Sequence, residues 1–320
     1  MPHDTTVPST KSSHVIAYYS GTLEYMLRRT FLQSLLAAPS FKSILVHEHV
    51  LVNFKGAEFD QDTVFKMVKP HLDDIVRQGC RRFQDATPNF LGRTPKLLAR
   101  LADATGLEIW TNTGLYAARD RQYLPDYAKT ETAPQIAKRW VEEHRKGVDG
   151  MKPRFIKIGV NRAPLHELDR KIVQAAALCS QETGLTIASH TSGAGPAALE
   201  QLEIVTATGL DPSKFVWVHA YNEKDHAIHE KVAKAGSWVE FDGLGAASLA
   251  WHLECVQFMA SKGLLGRTLV SQDAGYYRPG EPNGGAFRPY AFLYTDFAPK
   301  LSEAQARTIL AENPVKAYGA

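Results

Sequence analysis

The chain reads as an α/β protein, a (β/α)8 barrel, and three observations predict it. Short β-branched runs alternate about eight times with stretches of helical periodicity, the pattern of a parallel barrel. Several helical stretches close on glycine, at Gly79, Gly106, Gly147, Gly184, Gly236 and Gly263, the residue favoured just past a helix. A doubly wound sheet is the competitor, but it announces itself with a GxGxxG or GxxxxGK[ST] loop. Neither string occurs.

The first expected strand is Ile44–Val52, apolar enough to be buried on both faces as parallel strands are. His47 and His49 lie two residues apart in it, so both side chains point to one side. Imidazoles turned into such a core need partners for their nitrogens, either backbone carbonyls or a divalent metal. Glu48 points the other way, as a partner to the helices or to the histidines rather than a ligand. The second and third strands are Arg82–Ala86 and Glu108–Thr113, with helical patterns at Thr63–Arg77 and Pro95–Thr105 before each.

Pro134–Lys146 leads to the fourth strand, Phe155–Val160, where Lys157 shares a face with Phe155 and Gly159. If Ile156 and Ile158 pack on the helices, the ammonium points into the barrel, where an unpaired Lys is costly. Asp169–Thr183 precedes Leu185–His190, Ala197–Thr208 precedes Phe215–His219, and Asp225–Ala235 precedes Trp238–Phe241. Ala250–Lys262 leads to the eighth strand, Thr268–Asp273, and Glu303–Glu312 is the last helix. His190, His219 and Asp273 therefore close strands five, six and eight at the end where barrels carry their functional groups. Packing alone does not account for four His, one Lys and one Asp on one rim. Imidazole nitrogen and carboxylate oxygen are what a borderline divalent ion takes.

Composition excludes other classes. With 320 residues, 44% hydrophobic, there is chain for one barrel of roughly 250 residues plus its ends. A net charge of +3 with no basic block among aromatics argues against nucleic acid. No apolar stretch approaches the roughly 20 residues that span a bilayer. Cys80, Cys179 and Cys255 are scattered, which argues against a disulfide framework and a CxxC metal site. The remaining helix and loop histidines, His71, His144, His166, His226, His229 and His252, are expected to be structural or surface residues.

Residues 41–320 are expected to form the barrel, with residues 1–40 a disordered or signal-like lead-in. The first 25 residues are polar and Ser/Thr-rich. Arg28-Arg29-Thr30-Phe31-Leu32 resembles the start of a twin-arginine export signal, but the apolar stretch behind it is short. Cytoplasmic and exported locations both stay open.

The ordered set HxH on strand one, Lys on four, His on five, His on six and Asp on eight resembles the phosphotriesterase family of the amidohydrolase superfamily. Val46-His47-Glu48-His49, Ile156-Lys157-Ile158-Gly159, Ser189-His190-Thr191, Val218-His219-Ala220 and Gln272-Asp273-Ala274 carry the resemblance, with Asn313-Pro314 in the final helix. It implies two divalent ions, usually zinc: one on His47, His49 and Asp273, the other on His190 and His219, with carboxylated Lys157 bridging both. It further implies hydrolysis of an ester-type bond by a metal-bridging hydroxide, with Asp273 taking the proton. A lactone or carboxylic ester is preferred, with an aryl-dialkylphosphatase and a non-catalytic metal-binding scaffold as the alternatives. Tyr116, Asp242, Asn222 and Arg278, together with Trp217, are candidates for the wall that meets a small-molecule substrate. Lactone-opening relatives tend to carry Arg after the strand-seven Asp, whereas this chain has Phe241-Asp242-Gly243. Relatives also place a short hairpin under the barrel ahead of strand one, for which there is little room here. A homodimer is compatible with this reading.

Overall fold

The computed structural model describes residues 41–319 of a compact unit spanning Pro39–Ala320. The lead-in, with its Arg28-Arg29 pair, lies outside the described residues. Ten strands occupy the eight barrel positions. They are β1 (Ser43–Leu51), β2 (Cys80–Asp85), β3 (Glu108–Trp110), β4 (Asn112–Thr113) and β5 (Phe155–Val160), followed by β6 (Ile187–Thr191), β7 (Phe215–Val218), β8 (Trp238–Phe241), β9 (Thr268–Val270) and β10 (Gly275–Tyr277). All ladders between them are parallel, in the orders β10-β1-β2-β3 and β4-β5-β6-β7-β8-β9. The fold is that of a TIM barrel.

Two barrel positions are interrupted. The third strand breaks at Thr111, whose carbonyl accepts from Arg154 N at 2.9 Å. The eighth breaks after Val270, and the chain then returns to pair β10 with β1 at His49↔Gly275 and Leu51↔Tyr277. The stretch after Ala274 thus runs on as a strand, because His49 N and Val52 N need acceptors and find Ala274 O and Tyr277 O at 2.9 Å each.

Eight helices follow strands in order: α1 (Gln61–Arg77), α2 (Pro95–Thr105), α3 (Asp126–Thr130), α4 (Ala133–Lys146), α5 (Glu167–Thr183), α6 (Gly195–Ala207), α7 (His226–Lys234) and α8 (Leu249–Ser261). α2 and α5 end on Gly106 and Gly184 in the left-handed conformation. The expected final helix is instead α9 (Glu303–Arg307), a π turn and α10 (Asn313–Tyr318). Asn313 Nδ2 ties that turn down by donating to Leu265 O and Thr268 O, both at 2.7 Å.

Side chains partition between two apolar layers. Ile156 and Ile158 join the outer layer against the helices, while Phe155, Trp110, Val216 and Leu269 fill the barrel. The interior floor is closed from the other end of the chain. Ala317 and Tyr318 pack into the inner cluster, and Arg82 Nη1 donates to Gly319 O at 2.8 Å. The C-terminal helix thus closes this end of the barrel interior.

One glycine sets the spacing between neighbouring strands. Gly114 has φ +122, and a Cβ there would stand 2.1 Å from Lys157 O. Gly114→Ala is expected to cost about 3 kcal/mol, combining a strained φ with displaced backbone, seen as a lowered urea midpoint.

Away from the barrel mouth, His229 of α7 is buried and bonded through Nε2 to Ala220 O at 2.9 Å. Burial lowers its imidazole from the ordinary 6.5 to about 4. A base depressed by folding takes its proton first in the unfolded chain, so its stabilising contribution is present above pH 6.5 and lost as pH falls towards 4. His229→Gln is expected to flatten the fall in melting temperature across that window.

Candidate metal centre

The alternation of β1 is broken where the chemistry lies. Its register with β2 shifts between Leu45 and Glu48, a bulge that re-aims side chains. Val46 packs inside the barrel, and the next residue, His47, also faces inward. Glu48 is left on the outer side, fully buried, accepting from Ser271 Oγ at 2.8 Å, Gln272 N at 3.0 Å and Ala274 N at 2.7 Å. It fastens β1 to the segment that carries Asp273. His219 and Asp273 themselves hold left-handed backbone, with φ 65 and φ 50, strain that the surrounding contacts must maintain.

The imidazoles have fixed outer partners. His47 Nδ1 lies 3.0 Å from Glu240 Oε1 and 2.5 Å from Asp242 Oδ2, and His219 Nδ1 lies 2.8 Å from Asp242 Oδ1. Thr87 gives its hydroxyl proton to Leu51 O at 2.9 Å and so accepts from His49 Nδ1 at 2.8 Å. Carboxylates and that hydroxyl oxygen can only accept, so each neutral ring carries its proton on Nδ1 and keeps a lone pair on Nε2. These Nε2 atoms converge. His47 Nε2 is 3.1 Å from Lys157 Nζ, His49 Nε2 is 3.1 Å from Asp273 Oδ1, and His219 Nε2 is 2.6 Å from His190 Nδ1. His190 turns its own Nε2 outward, 3.1 Å from the Tyr116 hydroxyl.

Electrostatically the cluster calls for positive charge. Burial opposes protonation of His47, yet the carboxylates of Asp242 and Asp273 raise it to about 10, so a proton occupies its Nε2 lone pair until a metal ion displaces it. Burial lowers His49 to about 4 and His190 well below the usual imidazole range, with His219 adding to the effect on His190. Asp273 is held well below the carboxylate range by His47 and His49 despite its burial. Lys157 is buried, makes no ion pair among the described residues, and has its ammonium depressed by burial. Inward lone pairs, outward N–H groups on acceptors and buried carboxylates are the donor set and support that a divalent ion needs. His47, His219 and Asp273 bring ligand atoms within 4.8 Å of one another.

A cavity of about 570 Å³ opens above this cluster, lined among others by Tyr116, Arg278 and Tyr276. The Tyr276 hydroxyl makes a short hydrogen bond to Asp273 Oδ1. The other wall candidates fall elsewhere. Asp242, just past the end of β8, is fully buried beneath the imidazoles, because its even spacing from Glu240 turns both acids inward. Asn222 is exposed and off the cavity lining: His219 adopts the left-handed conformation and a short turn carries Asn222 out to solvent. Trp217 packs in the outer apolar layer, since it alternates with Val216 and Val218, which face in.

The profile of the phosphotriesterase family matches residues 32–318 of the sequence. The chain belongs to this family. A relative from Escherichia coli, the phosphotriesterase homology protein, is 27% identical over 284 residues, covering 84% of this chain and 95% of its own. The aryldialkylphosphatase of Saccharolobus solfataricus is 26% identical over 209 residues, 63% of this chain and 66% of its own. Among solved structures, a mutant phosphotriesterase-like lactonase of Deinococcus radiodurans superposes with a TM-score of 0.78 at 25% identity, covering 89% of this chain and 98% of that one. As a phosphotriesterase-family member the protein is a hydrolase, and the family is metal-dependent.

The residue after Asp242 is Gly243, at φ +69. A Cβ at Gly243 would meet the Tyr221 ring at 2.6 Å, so the ring occupies that space. Nearby, Arg288 Nη2 donates to Leu244 O at 3.1 Å. Sequence reading overlooked Glu240, Thr87 and Tyr276. An acid inside the apolar run Trp238-Val239-Glu240-Phe241, two residues before Asp242, was the signal available for the first.

Proposed function

We propose that the protein is a binuclear metal-dependent hydrolase of a small molecule, cleaving an ester-type bond, with lactones or carboxylic esters preferred over phosphotriesters. His47, His49 and Asp273 would hold one ion and His190 and His219 the other, with Lys157 between them as its carboxylate adduct. When bound, such ions supply an activated water and polarise the oxygen of the scissile group.

The chain's own groups supply the rest. Asp273 accepts the proton released on attack, and the Tyr276 hydroxyl on its Oδ1 sets which carboxylate edge stays open. A neutral Lys157 amine, favoured by burial, is the form that adds carbon dioxide, and the resulting anion offers two oxygens. Val52 and Leu91 give the cavity apolar wall, which keeps bulk water from the reacting bond. The lactone preference is supported by Tyr116 on the cavity, bonded to His190, and by the likeness to the Deinococcus lactonase. The phosphotriester reading is supported by the likeness to the Saccharolobus aryldialkylphosphatase.

The observation that carries the reading is the convergence of inward imidazole lone pairs on Lys157 and Asp273. Its test is turnover of the zinc-loaded protein on aliphatic lactones, aryl carboxylic esters and an aryl dialkyl phosphate. Larger kcat/KM on a lactone or carboxylic ester is expected. Preference for the phosphotriester reverses the order, and bound metal without hydrolysis of any of them favours a scaffold.

A further inference from the structure

The cavity above the cluster carries three guanidinium groups, from Arg119, Arg278 and Arg288, and Asp273 is the only acidic side chain among its lining residues. Like charges around one cavity repel and gain nothing from a neutral ligand. Two of the three are engaged by protein. Arg288 donates to Asp273 O at 3.0 Å and Leu244 O at 3.1 Å, and Arg278 Nε stands 3.1 Å from Glu281 Oε2.

Arg119 differs. Its guanidinium lies 4.2 Å over the centre of the Phe54 ring, and among the described residues it makes no hydrogen bond or ion pair. Stacking on a ring uses the face of the group and leaves its edge N–H donors free, the fork that matches a carboxylate or phosphate.

The backbone beneath it is strained. Arg119, Asp120 and Arg121 hold φ of 57, 56 and 66 in succession, a left-handed run that side-chain-bearing residues adopt only at a cost. Specific contacts hold the turn: Asp120 N donates to Asn161 Oδ1 at 3.0 Å, Arg121 N to Ala117 O at 2.9 Å, and Arg121 Nη1 pairs with Asp169 Oδ2 at 3.1 Å. The strained run begins with Arg119, an exposed residue whose guanidinium lines the cavity without a protein partner among the described residues, and strain held by such contacts marks a site kept for a ligand.

We infer that the substrate carries an anionic group, a carboxylate or a phosphate, apart from the bond that is cleaved, and that Arg119 binds it in the bidentate mode. This rests on the hydrolase reading for the word substrate, while the anion site itself stands on the turn and the cavity. Phe54 fixes the plane of the guanidinium, and Arg278 and Arg288 add positive charge to the cavity lining.

The test uses the zinc-loaded full chain, with Arg119→Ala and Arg119→Lys. Calorimetric titration with succinate and with glycerol 3-phosphate reads binding without turnover, and the tighter of the two identifies the anion as carboxylate or phosphate. In parallel, kcat/KM is measured on one lactone with a carboxylate side chain, one with a phosphate ester side chain and one with a neutral side chain. Arg119→Ala is expected to weaken the tighter anion at least tenfold and to lower the anionic-to-neutral ratio of kcat/KM at least tenfold, mainly through KM. Arg119→Lys is expected to recover part of the binding, because charge remains but the fork does not. Anion binding within twofold of wild type in Arg119→Ala overturns the inference. Weakened binding with no hydrolysis of any substrate keeps the anion site and removes the hydrolase reading instead.

Discussion

Replacing Lys157 with Met is expected to cut turnover by about 10²-fold or more, beyond the 10- to 100-fold typical of losing a group that only supports a ligand. The side chain sits fully inside the barrel, with Nζ 3.1 Å from His47 Nε2 and no carboxylate in ion-pair range among the described residues. A buried cation in that position is destabilising on its own. Met has similar volume and no charge, so metal-free Lys157→Met should melt no lower than the metal-free wild type. Loss of bound metal and of turnover with unchanged or higher intrinsic stability is the expected signature. A structural lysine gives the reverse, with lowered stability and retained metal. Mass spectrometry of the native, metal-loaded wild type should show the added mass of one carbon dioxide, absent from the variant.

Asp242→Asn should weaken metal binding by about 10- to 100-fold. One carboxylate takes the proton of His219 Nδ1 at 2.8 Å on Oδ1 and faces His47 Nδ1 at 2.5 Å on Oδ2. The amide offers one oxygen and one NH₂, so it can accept from only one ring. The other imidazole must hand its Nδ1 proton elsewhere or move it to Nε2, which then points a proton where a ligand lone pair is needed. Glu240 Oε1, at 3.0 Å, accepts from His47, so the amide oxygen stays with His219 and the NH₂ is set against the Nδ1–H of His47, the ring expected to lose orientation. Chelator competition measures the effect, and wild-type affinity in Asp242→Asn would contradict this account of the support.

The barrel was legible because strand and helix periods are local properties. The runs around Ile44, Phe155 and Phe215 stay extended and buried whatever their neighbours do, and the phase of Ile156 and Ile158 correctly turned Lys157 inward. The sequence misled where geometry departs from simple alternation. The β1 bulge puts Val46 and His47 on the same side, which period-two reading does not anticipate. The turn after His219 depends on a left-handed residue that most sequences would not adopt, so Asn222 looked like wall and is solvent-facing. Asp242 was picked out for its place at a strand end, but its depth is set by packing under two imidazoles. Arg119 carried no local signal, since its position depends on three successive positive φ angles and on Phe54 from a distant loop.

In the proposed enzyme His47, His49, Lys157, His190, His219 and Asp273 surround a pair of cations. Metal analysis of the chain after zinc loading and removal of free ion tests it most directly. Two equivalents per chain, falling in Lys157→Met, is the predicted result. No retained metal in the wild type, or the same retention in the variant, contradicts it.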